Sequence, residues 1–135
     1  MLLERHLIQA TGFRNTGPAG ARDGFEVRLR LPNYRGMRLS LLDGVDVTVD
    51  GELFPYEHNV FAIRDEAYTL DELREAADAR WDMFEPGVVR VAKSGGLAPG
   101  IHKVAISARV RSPYFPPALQ PLPVNAERLA TIVLP

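Results

Sequence analysis

The sequence has no cysteine in its 135 residues. That absence excludes thiolate catalysis, iron–sulfur ligation, disulfide staples and cysteine zinc sites, and it fits a reducing cytoplasm. Long apolar runs are missing as well. The opening MLLERHLIQATG meets Glu4, Arg5 and His6 almost at once, leaving too short a stretch for the core of a signal peptide. Nothing approaches membrane-spanning length. Neither sign of charge dominates: 16 Lys and Arg are interspersed with 17 Asp and Glu, for a net charge of −1. No basic groove for nucleic acid and no patch for an anionic membrane is therefore expected. Lysine itself is scarce, since 14 of the 16 basic residues are Arg. Arginine suits flat, bidentate contacts with carboxylates or a partner's backbone, although a GC-rich genome gives the same bias.

What is present is the balance of an ordinary globular chain, 46% apolar and 24% charged, read as one domain over 1–135. A chain of this size buries about two-thirds of its unfolded surface and needs no staple. FEVRLRL at 25–31 alternates Phe25, Val27, Leu29 and Leu31 with Glu26, Arg28 and Arg30, the period of a half-buried strand. MRLSL at 37–41 repeats the pattern, and Val45, Val47 and Val49 continue it beyond a bend or bulge at Asp43-Gly44. Asp50-Gly51 then marks a type I′ hairpin, with ELF as the return strand and Pro55 confining it to an edge.

In YTLDELREAADARWDMF, at 68–84, Thr69 and Glu72 form a capping box. Leu70, Leu73, Ala77, Trp81 and Phe84 fall on one helical stripe, so the only predicted helix covers the sheets with Trp81 as a core anchor. Three further strands are expected in VVRVAK, IHKVAISARVR and RLATIVLP, the first two joined by the glycine-rich turn SGGLAPG. Short alternating strands with one lone helix predict an all-β fold, an antiparallel β-sandwich with one short α-helix.

Catalytic signatures are sparse. His6, His58 and His102 show no metal-ligand spacing, and His58 beside Glu57 is the best lone candidate for acid–base work. SGGLAPG lacks the lysine and hydroxyl of a phosphate loop and precedes a strand. Ser40 and Ser107 lie in predicted strands, and no serine has the context of an activated nucleophile. No catalytic residue and no metal ligand is assigned in this chain. Two proline- and aromatic-rich segments stand out instead, PNYRG at 32–36 and SPYFPPALQPLP at 112–123. The second is expected to run extended in polyproline conformation. Tyr34, Arg35, Tyr114, Phe115 and Pro116 then form either a docking surface for another subunit, where aromatics and Arg carry binding energy, or loops folded back on the sandwich.

The order of several markers resembles a known family. GFRN at 12–15, YRG at 34–36 followed by LS at 39–40, VDGE at 49–52, GGLAPGIH at 95–102 and RSPYFPP at 111–117 together look like the small β subunit of bacterial C-glycoside deglycosidases. The resemblance implies a β-sandwich partner for a larger TIM-barrel α subunit that holds a divalent metal such as manganese and carries the chemistry. It implies carbon–carbon cleavage of 3-oxo-C-glycosides, such as flavonoid C-glucosides, by enolate-forming elimination, with this chain non-catalytic. The alternative is a free-standing carbohydrate-binding β-sandwich whose tyrosines stack on sugar rings.

Overall fold

The computed structural model describes residues 3–32, 35–112 and 116–133. The chain forms the strands β1 (Arg14–Thr16), β2 (Gly24–Leu29), β3 (Met37–Arg38), β4 (Leu42–Val49), β5 (Glu52–Phe54), β6 (Val60–Ile63), β7 (Glu66–Tyr68), β8 (Arg80–Trp81), β9 (Gly87–Ala92), β10 (Gly100–Val110) and β11 (Leu122–Ile132). One α-helix, α1 (Leu70–Glu75), interrupts them. All pairings are antiparallel, in a five-stranded sheet β1-β2-β9-β6-β7, a four-stranded sheet β11-β10-β4-β5 and a small β3-β8 ribbon. Phe25, Val27, Val89 and Val91 of the first sheet and Val45, Val47, Val104 and Ile106 of the second belong to one buried cluster. The Phe25 ring meets Phe54 edge to face at 5.2 Å, so the layers are a β-sandwich.

The local signals hold. Asp50 and Gly51 both have positive φ, 50° and 88°, as a type I′ turn requires. Gly44, at φ 98°, sits in a bulge where residues 43 and 44 face Arg109 alone, between the pairs Val45–Ala108 and Leu42–Val110. β5 is an edge strand that stops at Pro55. The outer-face positions of FEVRLRL need one correction. Glu26 is only 6% exposed, because β1 and β9 bring Arg14 and Arg90 over it.

The helix is also shorter than its sequence stripe. The capping box forms, with Glu72 N donating to Thr69 Oγ1 and Thr69 N donating to Glu72 Oε1, but the helix ends at Glu75. A six-residue helix is marginal alone, and pairing of Arg80–Trp81 with Met37–Arg38 prevails over the helical propensity of the alanines. Phe84 therefore leaves the stripe, 69% exposed with φ 70°. Trp81 remains the core anchor by another route: it is fully buried, 5.0 Å from the Phe61 ring, and its Nε1 donates to Glu85 O. Gly87 is required there, since a Cβ would come within 2.6 Å of Phe61 Cζ and 2.8 Å of Trp81 Cζ2. Ser40 lies in a 3-10 turn, Leu39–Leu41, rather than in a strand.

The proline-rich segment is not a polyproline arm where it is described. Pro117–Leu119 is a 3-10 turn, and β11 begins at Leu122, earlier than RLATIVLP suggests. Pro123 pairs opposite Arg109 inside this strand. The reason is parity. His6 Nε2 lies 3.2 Å from Glu127 O, so the backbone groups of Glu127 point away from β10, toward the sheet edge. Pro123 has the same parity, so its missing N–H falls on the free edge, where proline costs the ladder nothing.

Replacing Trp81 with alanine is expected to lower unfolding stability by about 3–5 kcal/mol, because the indole fills the space between Phe61 and Gly87. A denaturant or thermal melt shifted by less than a surface substitution shifts it overturns that assignment.

Candidate functional site

Three of the sequence markers that are far apart in the chain meet at one end of the sandwich. β4 runs from Leu42, opposite Val110, to Val49, opposite Val104, so the Asp50-Gly51 turn and the start of β10 share an end. Asn15, from GFRN, clamps the glycine-rich turn: Asn15 Nδ2 donates to Leu97 O and Leu97 N donates to Asn15 Oδ1, both at 2.8 Å. The side-chain amide acts here as an extra peptide unit. His102, at the end of GGLAPGIH, lies 2.6 Å from Asp50 Oδ2 through Nδ1 and 2.6 Å from Ala98 O through Nε2. Lys103 N donates to Asp50 Oδ1 at 2.8 Å, and Phe13 meets the imidazole edge to face at 6.1 Å.

Both partners of the His102 ring only accept, so the doubly protonated imidazolium satisfies both. Burial pushes the ring toward neutrality, but the Ala98 carbonyl and then the Asp50 carboxylate outweigh it, and its pKa stands above the ordinary imidazole value. Asp50 is held below the usual carboxylate range by His102 first and by the Lys103 amide second.

From this end an open cleft of about 1190 Å³ extends over the outer face of the five-stranded sheet. Arg14, Asn15, Leu97 and Pro99 contribute to its wall together with Glu26, Arg90 and His58. Glu26 is clamped by Arg14 Nε at 2.6 Å and Arg90 Nε at 3.5 Å, tying β1, β2 and β9 together across their polar face. Sequence reading placed Glu26 on a solvent face because its partners come from other strands. The only local hint was its position among arginines.

Of the residues expected to form a docking surface, two are described. Tyr34, Tyr114 and Phe115 fall outside the described residues, while Arg35 and Pro116 are exposed. Their flanking strands, before β4 and after β10, place Arg35 and Pro116 toward the end of the sandwich opposite Asp50-Gly51. That end has its own buried carboxylate, Asp43, 3% exposed, which accepts from Arg74 Nε at 3.0 Å and Arg111 Nη2 at 3.3 Å. Glu57 and His58 occupy an exposed 3-10 turn, with no hydrogen bond between them. Among the described residues, no three His, Asp or Glu side chains are grouped to hold a metal ion. No described helix is long and apolar enough to cross a membrane.

The family model for the C-glycoside deglycosidase beta subunit matches residues 3–114. The chain belongs to this family. It is 34% identical over 119 residues to the C-glycoside deglycosidase beta subunit of Eubacterium cellulosolvens, covering 87% of this chain and 81% of that protein. A 3'-dehydrocarminate deglycosidase beta subunit from a Microbacterium species is 35% identical over 101 residues, 73% of this chain and 74% of its own length. The C-glycoside deglycosidase beta subunit of Microbacterium trichothecenolyticum is 32% identical over 118 residues, 85% and 82% of the two chains.

The His102 geometry sets a pH dependence. A pKa raised on folding contributes stability that is fully present below the unfolded value, about 6.5, and is lost as pH rises through the folded value. The melting temperature is therefore expected to fall as pH is raised above about 6.5, and His102→Gln is expected to flatten that slope. An identical slope in wild type and variant excludes the imidazolium bridge.

Proposed function

We propose that this chain is the non-catalytic β subunit of a C-glycoside deglycosidase, a carbon–carbon lyase. Its partner is a TIM-barrel α subunit that holds a divalent metal, manganese, and works in the cytoplasm. The observation that carries this reading is the family match over residues 3–114. The geometry supports it: at the motif-bearing end Asp50 and His102 bond to each other and to backbone, and Asn15 bonds to the Leu97 backbone, so that these side chains hold loops in place. The name of one relative, 3'-dehydrocarminate deglycosidase beta subunit, supports an oxidised sugar as substrate.

The chemistry follows from the bond to be broken. A sugar joined to an aryl ring through carbon has no glycosidic oxygen to protonate, so two-carboxylate hydrolysis has no foothold. A ketone at C3 acidifies the neighbouring C2 proton, which passes to a base on the α subunit. The C2–H electron pair becomes the C1–C2 double bond, the C1–aryl bond breaks, and the aryl carbon takes up a proton. The bound metal supplies Lewis-acid stabilisation of the negative charge that develops. The substrates are 3-oxo-C-glycosides of flavonoids and other aryl groups. This chain orders the loops of the barrel, limits solvent at the site or shapes the space for the aglycone. Tyr34, Arg35, Tyr114, Phe115 and Pro116 are among its contacts with the barrel.

Co-expression with the α subunit, followed by assay on a 3-oxo-C-glycoside, tests the reading. Cleavage is expected from the complex and none from this chain alone. Turnover by the isolated chain, or monomeric binding of a simple sugar, as a carbohydrate-binding sandwich would show, overturns it. Arg35→Ala is expected to weaken assembly on size-exclusion chromatography while leaving the melting transition in place. Unchanged assembly removes Arg35 from the interface.

A further inference from the structure

We infer that Arg14 and Arg90, held in place by buried Glu26, form a carboxylate-receiving site in the cleft, occupied in the complex by an acidic side chain of the α subunit. The inference deepens the proposed function and rests on it.

Three observations lead there. Each guanidinium uses its Nε on Glu26, at 2.6 and 3.5 Å. Neither has a hydrogen bond from its terminal nitrogens among the described residues. Both arginines are more than half exposed, 71% and 51%, while the Glu26 side chain is only 8% exposed. The buried carboxylate thus orients two cationic forks whose free N–H groups belong to the open side, the geometry that carboxylates match in bidentate fashion.

Second, the cleft has a surplus of positive charge. Arg14, Arg22 and Arg90 stand against Glu26 and Asp23 in its wall, and Asp23 already accepts from Thr16 Oγ1. Third, the stretches that carry the family resemblance build this wall: GFRN supplies Arg14 and Asn15, and GGLAPGIH supplies Leu97 and Pro99. Asn15 locks one stretch to the other. A pre-formed cleft of about 1190 Å³ takes a protruding loop of a protein partner, whereas a single small carboxylate leaves most of it unfilled.

The test uses the αβ complex with the Arg14→Gln/Arg90→Gln double variant. Its dissociation constant for the α subunit is expected to rise about 10- to 100-fold, with KM for the 3-oxo-C-glycoside unchanged at saturating subunit concentration. The triple variant with Glu26→Gln removes the uncompensated buried charge, so the measurement survives if the double variant fails to fold, and the same weakening is expected. Unchanged association in folded variants overturns the site. A raised KM with intact assembly also overturns the assigned occupant, because the carboxylate then comes from a small molecule. Absence of association already in the wild-type chain overturns the proposed function and this inference together, whereas wild-type binding with unaffected variants overturns only the latter.

Discussion

The register of β10 is the constraint on which the rest of the sandwich depends. This strand pairs with β11 along its whole length and with β4 from Val104 to Val110, so its inward row, Val104, Ile106 and Ala108, lines up Val49, Val47 and Val45 beside it. A slip of one residue exchanges that row for Ala105, Ser107 and Arg109 and removes the second sheet's share of the core. Two devices prevent the slip. The Asp50-Gly51 turn fixes the β4-β5 hairpin at one end, with Asp50 also bound to Lys103 N and His102. The bulge at Gly44 absorbs the extra residue at the other end.

Buried carboxylates repeat the theme at longer range. Glu26 and Asp43 are each less than a tenth exposed, and each is ion-paired with two arginines carried by different elements. Removing one partner of such a group leaves charge in a poorly solvated place, so each clamp favours one arrangement of the elements that supply it. Glu26 joins β1, β2 and β9, and Asp43 joins α1 and the end of β10 to β4. These clamps give the excess of Arg over Lys a structural use: Arg delivers a charged, planar donor set from a half-exposed position. Composition alone left codon bias as an equal explanation.

What was legible in the sequence was local or periodic. The alternation in FEVRLRL and IHKVAISARVR, the capping box at Thr69 and the two central residues of the hairpin each follow from a few neighbouring residues. What escaped depended on distant partners. Trp81 was assigned to the core through a helical stripe, yet it reaches the core from a strand paired with Met37–Arg38. Glu26 was placed in solvent because Arg14 and Arg90 come from other strands. Pro123 reads as the end of a polyproline segment because the sequence does not say which parity of β11 faces the free edge. The candidate site divides in the same way: its motifs were visible as an ordered series, whereas their meeting at one cleft required the hairpin, the Asn15 clamp and the start of β10 to be placed together.

The two ends of the sandwich therefore differ in kind. At one, Asp50 and His102 satisfy each other and the backbone, Asn15 clamps the Leu97 backbone, and the cleft beside them is walled by loops that these bonds hold in place. At the other, Asp43 secures the strand ends from which the chain leads into its proline- and aromatic-rich segments. Asn15, Asp50 and His102 are committed to holding loops, whereas the terminal nitrogens of Arg14 and Arg90 make no hydrogen bond among the described residues and offer the planar donor set that a carboxylate matches. The bonded end thus fixes the shape of the cleft wall, and the two guanidinium groups held by Glu26 give that wall its open donors, the arrangement on which the proposed carboxylate site rests.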